Sequence, residues 1–133
     1  MNSRAKGARG EREWAEFLRD RLNCPDARRG CQFAGRSVSG DDTPDVVGGI
    51  PLTHPEVKRT ERLSLYQAMG QAVNDCGDAI PYVAHKKNRE DWVVVVRAID
   101  LLEFCQAVCK HMGDAECQSE GGADPEQSHT SKT

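Results

Sequence analysis

The stretch that decides the fold runs from residue 43 to residue 59 and is TPDVVGGIPLTHPEVKR. Two of its segments, residues 45–47 and 54–59, have the composition of short strands. The segment between them, Gly48–Thr53, contains glycine and proline and predicts a turn. The stretch therefore predicts two neighbouring strands joined by a tight connection.

The second of these strands places its polar side chains on one face. Side chains alternate along a strand, so Glu56 and Lys58 share a face while Val57 points into the core. If the two strands pair through the turn, Asp45 reaches the same face near Glu56. The pattern then brings two carboxylates and one ammonium group together on a sheet surface.

The rest of the chain supplies helices and further strands around this stretch. The predicted elements are a helix over residues 6–22, strands over 28–33, 45–47 and 54–59, a helix over 63–76, strands over 80–84 and 92–96, and a helix over 99–110. This order, α-β-β-β-α-β-β-α, predicts an α/β domain with a mixed sheet of about five strands flanked by helices. The β-branched run at 92–96 predicts a strand buried on both faces.

The domain is expected to span residues 1–112. From Gly113 the chain lacks any aliphatic residue larger than alanine, so residues 113–133 are predicted to be a disordered acidic and polar tail. Residues 35–43 predict a polar, glycine-containing loop.

Length and charge limit the classes of protein to consider. A chain of 133 residues forms one domain with its own core. No apolar run is long enough to cross a membrane, and no apolar segment follows the basic N-terminus, so no signal peptide is expected. The net charge is −3, but residues 1–40 carry +4, which leaves nucleic-acid binding open.

The six cysteines do not predict a metal or disulfide framework. Cys24 and Cys31 are seven residues apart and Cys105 and Cys109 are four apart, with no paired zinc-binding spacing. Cys105 and Cys109 lie at helical spacing beside apolar residues. We expect them to be small buried side chains in a reducing cytoplasm.

The predicted polar face suits phosphodiester chemistry. The carboxylates of Asp45 and Glu56 are hard oxygen ligands of the kind that Mg²⁺ or Mn²⁺ prefers. The ammonium group of Lys58 would stabilise charge that develops at phosphorus, or hold the attacking water. The alternative is a solvated strand face with an ordinary Glu–Lys pair.

Four elements in order resemble the PD-(D/E)xK nuclease superfamily, and within it the archaeal-type Holliday junction resolvases and their small phage-encoded relatives. The matching elements are Lys6-Gly7 with Glu11-Arg12, Pro44-Asp45, Glu56-Val57-Lys58, and Gln71 on the following helix. The resemblance covers about residues 6–104. It implies a restriction-endonuclease-like fold.

The resemblance also implies roles for individual residues. Asp45 and Glu56 would bind the metal with the Val57 carbonyl as a third ligand, and Lys58 would be the catalytic lysine. Glu11 would reach the metal directly or through water, and Gln71 would position water or substrate. Glu13 is the alternative for the first-helix role. It lies two residues after Glu11, about 200° round the helix, so the two cannot face the same site.

Several residues have two interpretations each. The resolvases often carry a serine in a short loop before the PD element. Here that loop is longer, and either Ser37 or Ser39 contacts a phosphate or the loop is simply flexible. Two basic clusters either contact the phosphate backbone of DNA or are simply solvated. The first consists of Arg28 and Arg29, and the second of Lys86, Lys87 and Arg89. His54 shares the face of Glu56, where it either touches the site or packs.

The sequence thus predicts a Mg²⁺-dependent endonuclease that cuts DNA, in particular branched DNA such as Holliday junctions. A homodimer would match the near-twofold symmetry of a four-way junction. The expected location is the cytoplasm, or the host cytoplasm if the chain is phage-encoded. The alternatives are a nuclease acting on DNA ends, flaps or duplex sites, and a catalytically inert DNA-binding protein.

Overall fold

A computed structural model of the chain describes residues 3–30 and 44–120. Within these ranges the order of elements is α-β-β-β-α-β-β-α, as predicted. The helices are α1 (Ser3–Arg21), α2 (Leu65–Asp75) and α3 (Leu101–Glu120), and a 3₁₀ turn at Ala98–Asp100 leads into α3. The strands are β1 (Arg28–Arg29), β2 (Val46–Val47), β3 (Thr53–Arg59), β4 (Ile80–Lys86) and β5 (Val93–Val95). The α/β class is confirmed.

The strands form two sheets, where the sequence predicted one. In the larger sheet β4 is central, parallel to β3 and antiparallel to β5. The smaller sheet pairs β1 with β2, so the expected pairing of β2 with β3 is wrong. The reason lies at Gly48, where φ is +79° and the chain turns directly after β2. The Gly30 N–H also donates to the Asp45 carbonyl at 2.8 Å, which extends the β1–β2 pairing toward the site.

Helices cover both faces of the larger sheet. On one face Trp14 and Leu18 of α1 pack against Tyr82 of β4, and all three side chains are buried. The Trp14 indole N–H donates to the Tyr82 hydroxyl at 3.1 Å, and the Trp14 ring lies 5.0 Å from that of Trp92. Trp14 therefore belongs to the core, and Trp92 packs against it.

The second helix covers the opposite face. Ala68, Met69 and Ala72 of α2 form a cluster with Val83 of β4. After α2 the chain turns at Gly77, whose φ of +56° is typical of a glycine that follows the last turn of a helix.

Two predictions of burial are wrong. Val93 and Val94 are 51% and 42% exposed, because β5 is paired only with β4 within the described part of the chain. Cys105 and Cys109 are exposed rather than buried. On α3 it is the stripe containing Phe104, Ala107 and Val108 that packs on the core, and Cys105 and Cys109 lie off that stripe.

The last helix is longer than the sequence predicted. Gly113 does not end the last helix, because α3 continues through it to Glu120. Residues 121–133 of the predicted tail, and the predicted loop at 35–43, lie outside the described residues. None of the helices in the described ranges has the length and apolarity needed to span a membrane.

Candidate active site

A cleft of about 680 Å³ opens between the start of α1, strand β3 and the first half of α2. Its lining contains every acidic, basic and amide side chain that the sequence placed in the catalytic set. These are Glu11, Asp45, Glu56, Lys58 and Gln71, together with Val57. Side chains that are up to 60 residues apart in the sequence thus meet in one place.

Strand β3 supplies the centre of the cleft. Glu56 is 4% exposed, and its Oε2 lies 3.4 Å from the Lys58 Nζ. Val57 points to the opposite side and belongs to the core cluster, as the alternation of strand side chains predicted. The regular alternation of side chains along β3, rather than a loop, therefore orients the Glu56 carboxylate and the Lys58 ammonium group.

Asp45 joins this face without belonging to β3. Its Oδ2 accepts a hydrogen bond from the Val57 backbone N–H at 2.9 Å. The prediction that Asp45 lies beside Glu56 is therefore met by a side chain that crosses to β3, although its own strand pairs with β1. This contact holds one carboxylate oxygen of Asp45 against the backbone of β3.

The first helix contributes Glu11 and not Glu13 to the cleft. Glu11 lines it, and its Oε1 accepts a hydrogen bond from the Arg29 Nε at 2.7 Å. Glu13 faces another cavity and pairs with Arg59 at 2.8 Å and with Arg9 at 3.5 Å. Of the two positions on α1 that the sequence left open, only Glu11 therefore lines the cleft.

Gln71 on α2 completes the set. Its Oε1 accepts a hydrogen bond from the Lys58 Nζ at 3.4 Å. Lys58 therefore lies between Glu56 and Gln71, which limits where its ammonium group can point.

Burial dominates the electrostatics of the two carboxylates. Desolvation raises the pKa of Asp45 to about 6, an effect that the Val57 N–H opposes and the charge of Glu11 reinforces. Desolvation and the charge of Asp45 raise the pKa of Glu56 to about 7, against the opposing effect of Lys58. Both carboxyls are therefore harder to ionise than exposed carboxyls, chiefly because they are buried.

The raised pKa values of Asp45 and Glu56 make stability depend on pH in metal-free solution. The folded state binds protons on Asp45 and Glu56 at pH values where the unfolded chain has released them, so stability is gained as the pH falls through about 7 to 5. Each unit by which a pKa differs between the folded and unfolded states changes the free energy of unfolding by about 1.4 kcal/mol. The repulsion between the two carboxylates contributes to both pKa values and must be counted only once. We therefore expect the free energy of unfolding to rise by roughly 3 kcal/mol between pH 8 and pH 5, which corresponds to a rise in Tm of about 10 °C.

Thermal unfolding followed by circular dichroism in EDTA measures this gain. The matched control is the double variant Asp45→Asn, Glu56→Gln, which retains the hydrogen-bonding shape but cannot titrate. Its Tm should change far less over the same range. Equal pH dependence in the two proteins would show that these carboxyls do not carry the effect.

The remaining predicted residues lie away from the cleft or outside the described chain. Arg28 is exposed and donates to the Asp26 carbonyl, and His54 is buried and does not line the cleft. Lys86 lines the separate cavity that contains Glu13. The side chains of Lys87 and Arg89 are exposed and do not line the cleft. Ser37 and Ser39 lie outside the described residues.

Other cleft residues received no role from the sequence. The polar and charged ones are Lys6, Arg59, Thr60, Arg62, Ser64 and Gln67. Asp75 also raises the pKa of both Asp45 and Glu56, so it lies within electrostatic range of them. The sequence contained a usable signal for Gln67 and for Asp75, because they lie one helical turn before and after Gln71 and so share its side of α2.

Comparisons of this chain with protein-family models, with curated proteins and with solved structures find no match. The function of the cleft must therefore be argued from its own chemistry.

Proposed function

We propose that this chain is a metal-dependent endonuclease that hydrolyses phosphodiester bonds in DNA. The observation that supports the proposal is the convergence of Asp45, Glu56 and Lys58 in one cleft, with Glu11 and Gln71 on its walls. The two carboxylates are desolvated and repel each other, which is costly unless a cation binds them. A solvated Glu–Lys pair would not leave Glu56 4% exposed.

The donor set fits a hard divalent cation. Among the described residues no group of three or more His, Cys, Asp and Glu side chains is arranged to hold a metal ion. The proposed ligands are two carboxylates, those of Asp45 and Glu56, and a backbone carbonyl, that of Val57. Glu11 acts directly or through water. Oxygen ligands of this kind favour Mg²⁺, with Mn²⁺ as a substitute. When bound, the ion would lower the pKa of a water molecule and offset charge on the phosphate.

The chain's own residues then have separate tasks. Lys58 places its ammonium group beside Glu56, where it stabilises the negative charge that develops on the phosphate oxygens. Gln71 holds Lys58 in that position through their hydrogen bond. The Val57 N–H holds Asp45 in the orientation that a ligand requires.

The nature of the DNA follows from the resemblance to junction resolvases and not from the cleft itself. We propose branched DNA such as a four-way junction, cut by a homodimer whose two sites serve the two symmetric strands. Cleavage of ends, flaps or duplex sites, and DNA binding without cleavage, are the alternatives.

Cleavage of a panel of labelled DNA tests the proposal. Duplex, flap, fork and four-way-junction substrates of equal length are incubated with the protein and Mg²⁺, with Lys58→Ala as the inactive control. We expect junction cleavage that requires Mg²⁺ and is absent in the control. Equal cleavage of every substrate would support the nuclease activity but contradict the preference for junctions.

A metal titration tests the remaining alternative, a protein that binds DNA without cutting it. Mg²⁺ or Mn²⁺ should raise the Tm at pH 8, because an ion that binds only the folded state stabilises it. A protein that binds DNA but neither binds metal nor cuts any substrate would be the inert alternative.

A further inference from the structure

The charged side chains of the cleft fall into two groups. All the carboxylates that line it belong to the proposed catalytic set. Within the described part of the chain, the charged side chains that line the cleft outside that set are all basic. They are Lys6, Arg59 and Arg62. Beyond the catalytic set the cleft is therefore positively charged.

Two of these three cations are not engaged by the protein itself. The Arg59 guanidinium donates to the Glu13 carboxylate at 2.8 Å and to the Lys86 carbonyl at 3.5 Å. Lys6 and Arg62 form no side-chain hydrogen bond or ion pair with any residue that the structure describes. Both cations are therefore available to an anionic ligand that enters the cleft.

The loop that follows β3 is held so that its acidic side chain turns away from the cleft. The Glu61 carboxylate accepts a hydrogen bond from the Asn88 backbone N–H at 2.7 Å, and Glu61 does not line the cleft. The His85 Nε2 donates to the Thr60 carbonyl at 2.9 Å, and the Thr60 hydroxyl donates to the Arg62 carbonyl at 3.1 Å. The loop therefore presents Arg62 to the cleft and Glu61 to the turn between β4 and β5.

Lys6 lines the same cleft from the first helix. An added Cβ at Gly10 would lie 2.5 Å from the Arg59 Cβ, so α1 passes very close to the end of β3. Lys6 lies one helical turn before Gly10 and therefore on the same side of α1. The two cations without protein partners thus belong to separate elements, α1 and the loop at 60–64, that meet beyond the end of β3.

Neutral hydrogen-bonding groups accompany the two cations. Ser64 precedes the first turn of α2, and its hydroxyl makes no capping bond with that helix. Gln67 is exposed and lines the cleft beside it. Hydroxyl and amide groups, together with lysine and arginine, make most of the contacts to phosphate and sugar in protein–DNA complexes. Among the described residues that line the cleft none is aromatic, so they offer no ring on which a base could stack.

We infer that Lys6 and Arg62, assisted by Ser64 and Gln67, bind the phosphodiester backbone of DNA at a phosphate other than the one that faces Lys58. The ligand is a strand with at least two phosphates, recognised through its backbone and not through its bases. The choice of DNA rests on the proposed function. The binding itself requires neither metal nor cleavage, so it can be measured without them.

Fluorescence anisotropy of a labelled duplex, titrated with the full chain in EDTA over a range of salt concentrations, tests this contact. Lys6→Gln and Arg62→Gln should each raise the Kd roughly tenfold at about 0.1 M salt and lower the slope of log Kd against log salt by about 0.9. Duplexes of unrelated sequence should show the same effect, because a phosphate contact carries no sequence information.

Lys110→Gln is the matched control, because Lys110 is an exposed cation of α3 and no α3 residue lines the cleft. It should bind DNA as the wild type does, and all three variants should keep the circular dichroism and Tm of the wild type. A polyglutamate chain of equal charge should compete far less well than unlabelled duplex.

The outcomes separate this inference from the proposed function. Lys6 and Arg62 variants that bind DNA as tightly as the control would overturn the inference, even if the wild type cuts DNA. Weakened binding of the predicted size would support it, even if no substrate is cut. A wild type that binds no DNA in EDTA, or polyglutamate that competes as well as duplex, would overturn the assignment to a phosphodiester backbone.

Discussion

Replacing Glu56 by glutamine should lower Mg²⁺-dependent DNA cleavage by at least about 10³-fold, because it removes one of the two charges proposed to hold the ion. The side chain keeps its size, so no cavity forms. Since burial and Asp45 both act against the charged form of Glu56, the variant should melt at the same temperature as the wild type or higher at pH 8.

Single-turnover cleavage rates and thermal unfolding, measured on the same preparations, check both halves of this expectation. Glu16→Gln is the matched control, because Glu16 is an exposed acid of α1 that lies outside the cleft. It should cut at the wild-type rate. A Glu56→Gln variant that retains cleavage within about tenfold of the wild type would remove Glu56 from the proposed mechanism.

Replacing Gly48 by alanine should destabilise the fold by about 3 kcal/mol or more. Gly48 has a φ of +79°, and an added Cβ would lie 2.4 Å from the Asp26 carbonyl oxygen. Both problems involve backbone, so no side-chain rotation relieves them. Since this glycine ends the strand that positions Asp45, we expect a Tm lowered by about 10 °C and weakened metal binding.

Denaturant unfolding gives the free energy directly, with Gly70→Ala as the comparison. Gly70 lies within α2, and a Cβ there would meet nothing within 4 Å. That substitution should stabilise the protein by roughly 0.5–1 kcal/mol, since alanine loses less backbone freedom than glycine in a helix. A Gly48→Ala protein as stable as the wild type would show that β1 and β2 can separate without cost.

The relation between Glu56, Val57 and Lys58 could be predicted because it needs only strand alternation, which holds wherever β3 lies. Glu11 and Gln71 line the cleft as well, but they were expected there only because the resemblance to the nuclease superfamily implied it. The pairing of β2 could not be predicted. Two-residue strands have no side-chain pattern strong enough to choose between β1 and β3 as a neighbour.

The errors on β5 and α3 have a common physical cause. A run of valines fits a strand buried on two faces and an edge strand equally well, and only the tertiary structure shows which neighbour is absent. Cys105 and Cys109 share helical spacing with Leu101 and Leu102, so apolarity alone could not show which stripe of α3 meets the core. Gly113 weakens a helix without being obliged to end it.

The packing of two tryptophan rings in the core gives the protein a built-in optical signal. The rings of Trp14 and Trp92 lie 5.0 Å apart and are inclined by 54°, so their electronic transitions are close enough to couple and are not parallel. Such a pair produces a split band in the circular dichroism of the indole absorption. Trp14 lies three residues after Glu11 on α1, so any shift of that helix as a ligand enters would alter the band without a dye or a label.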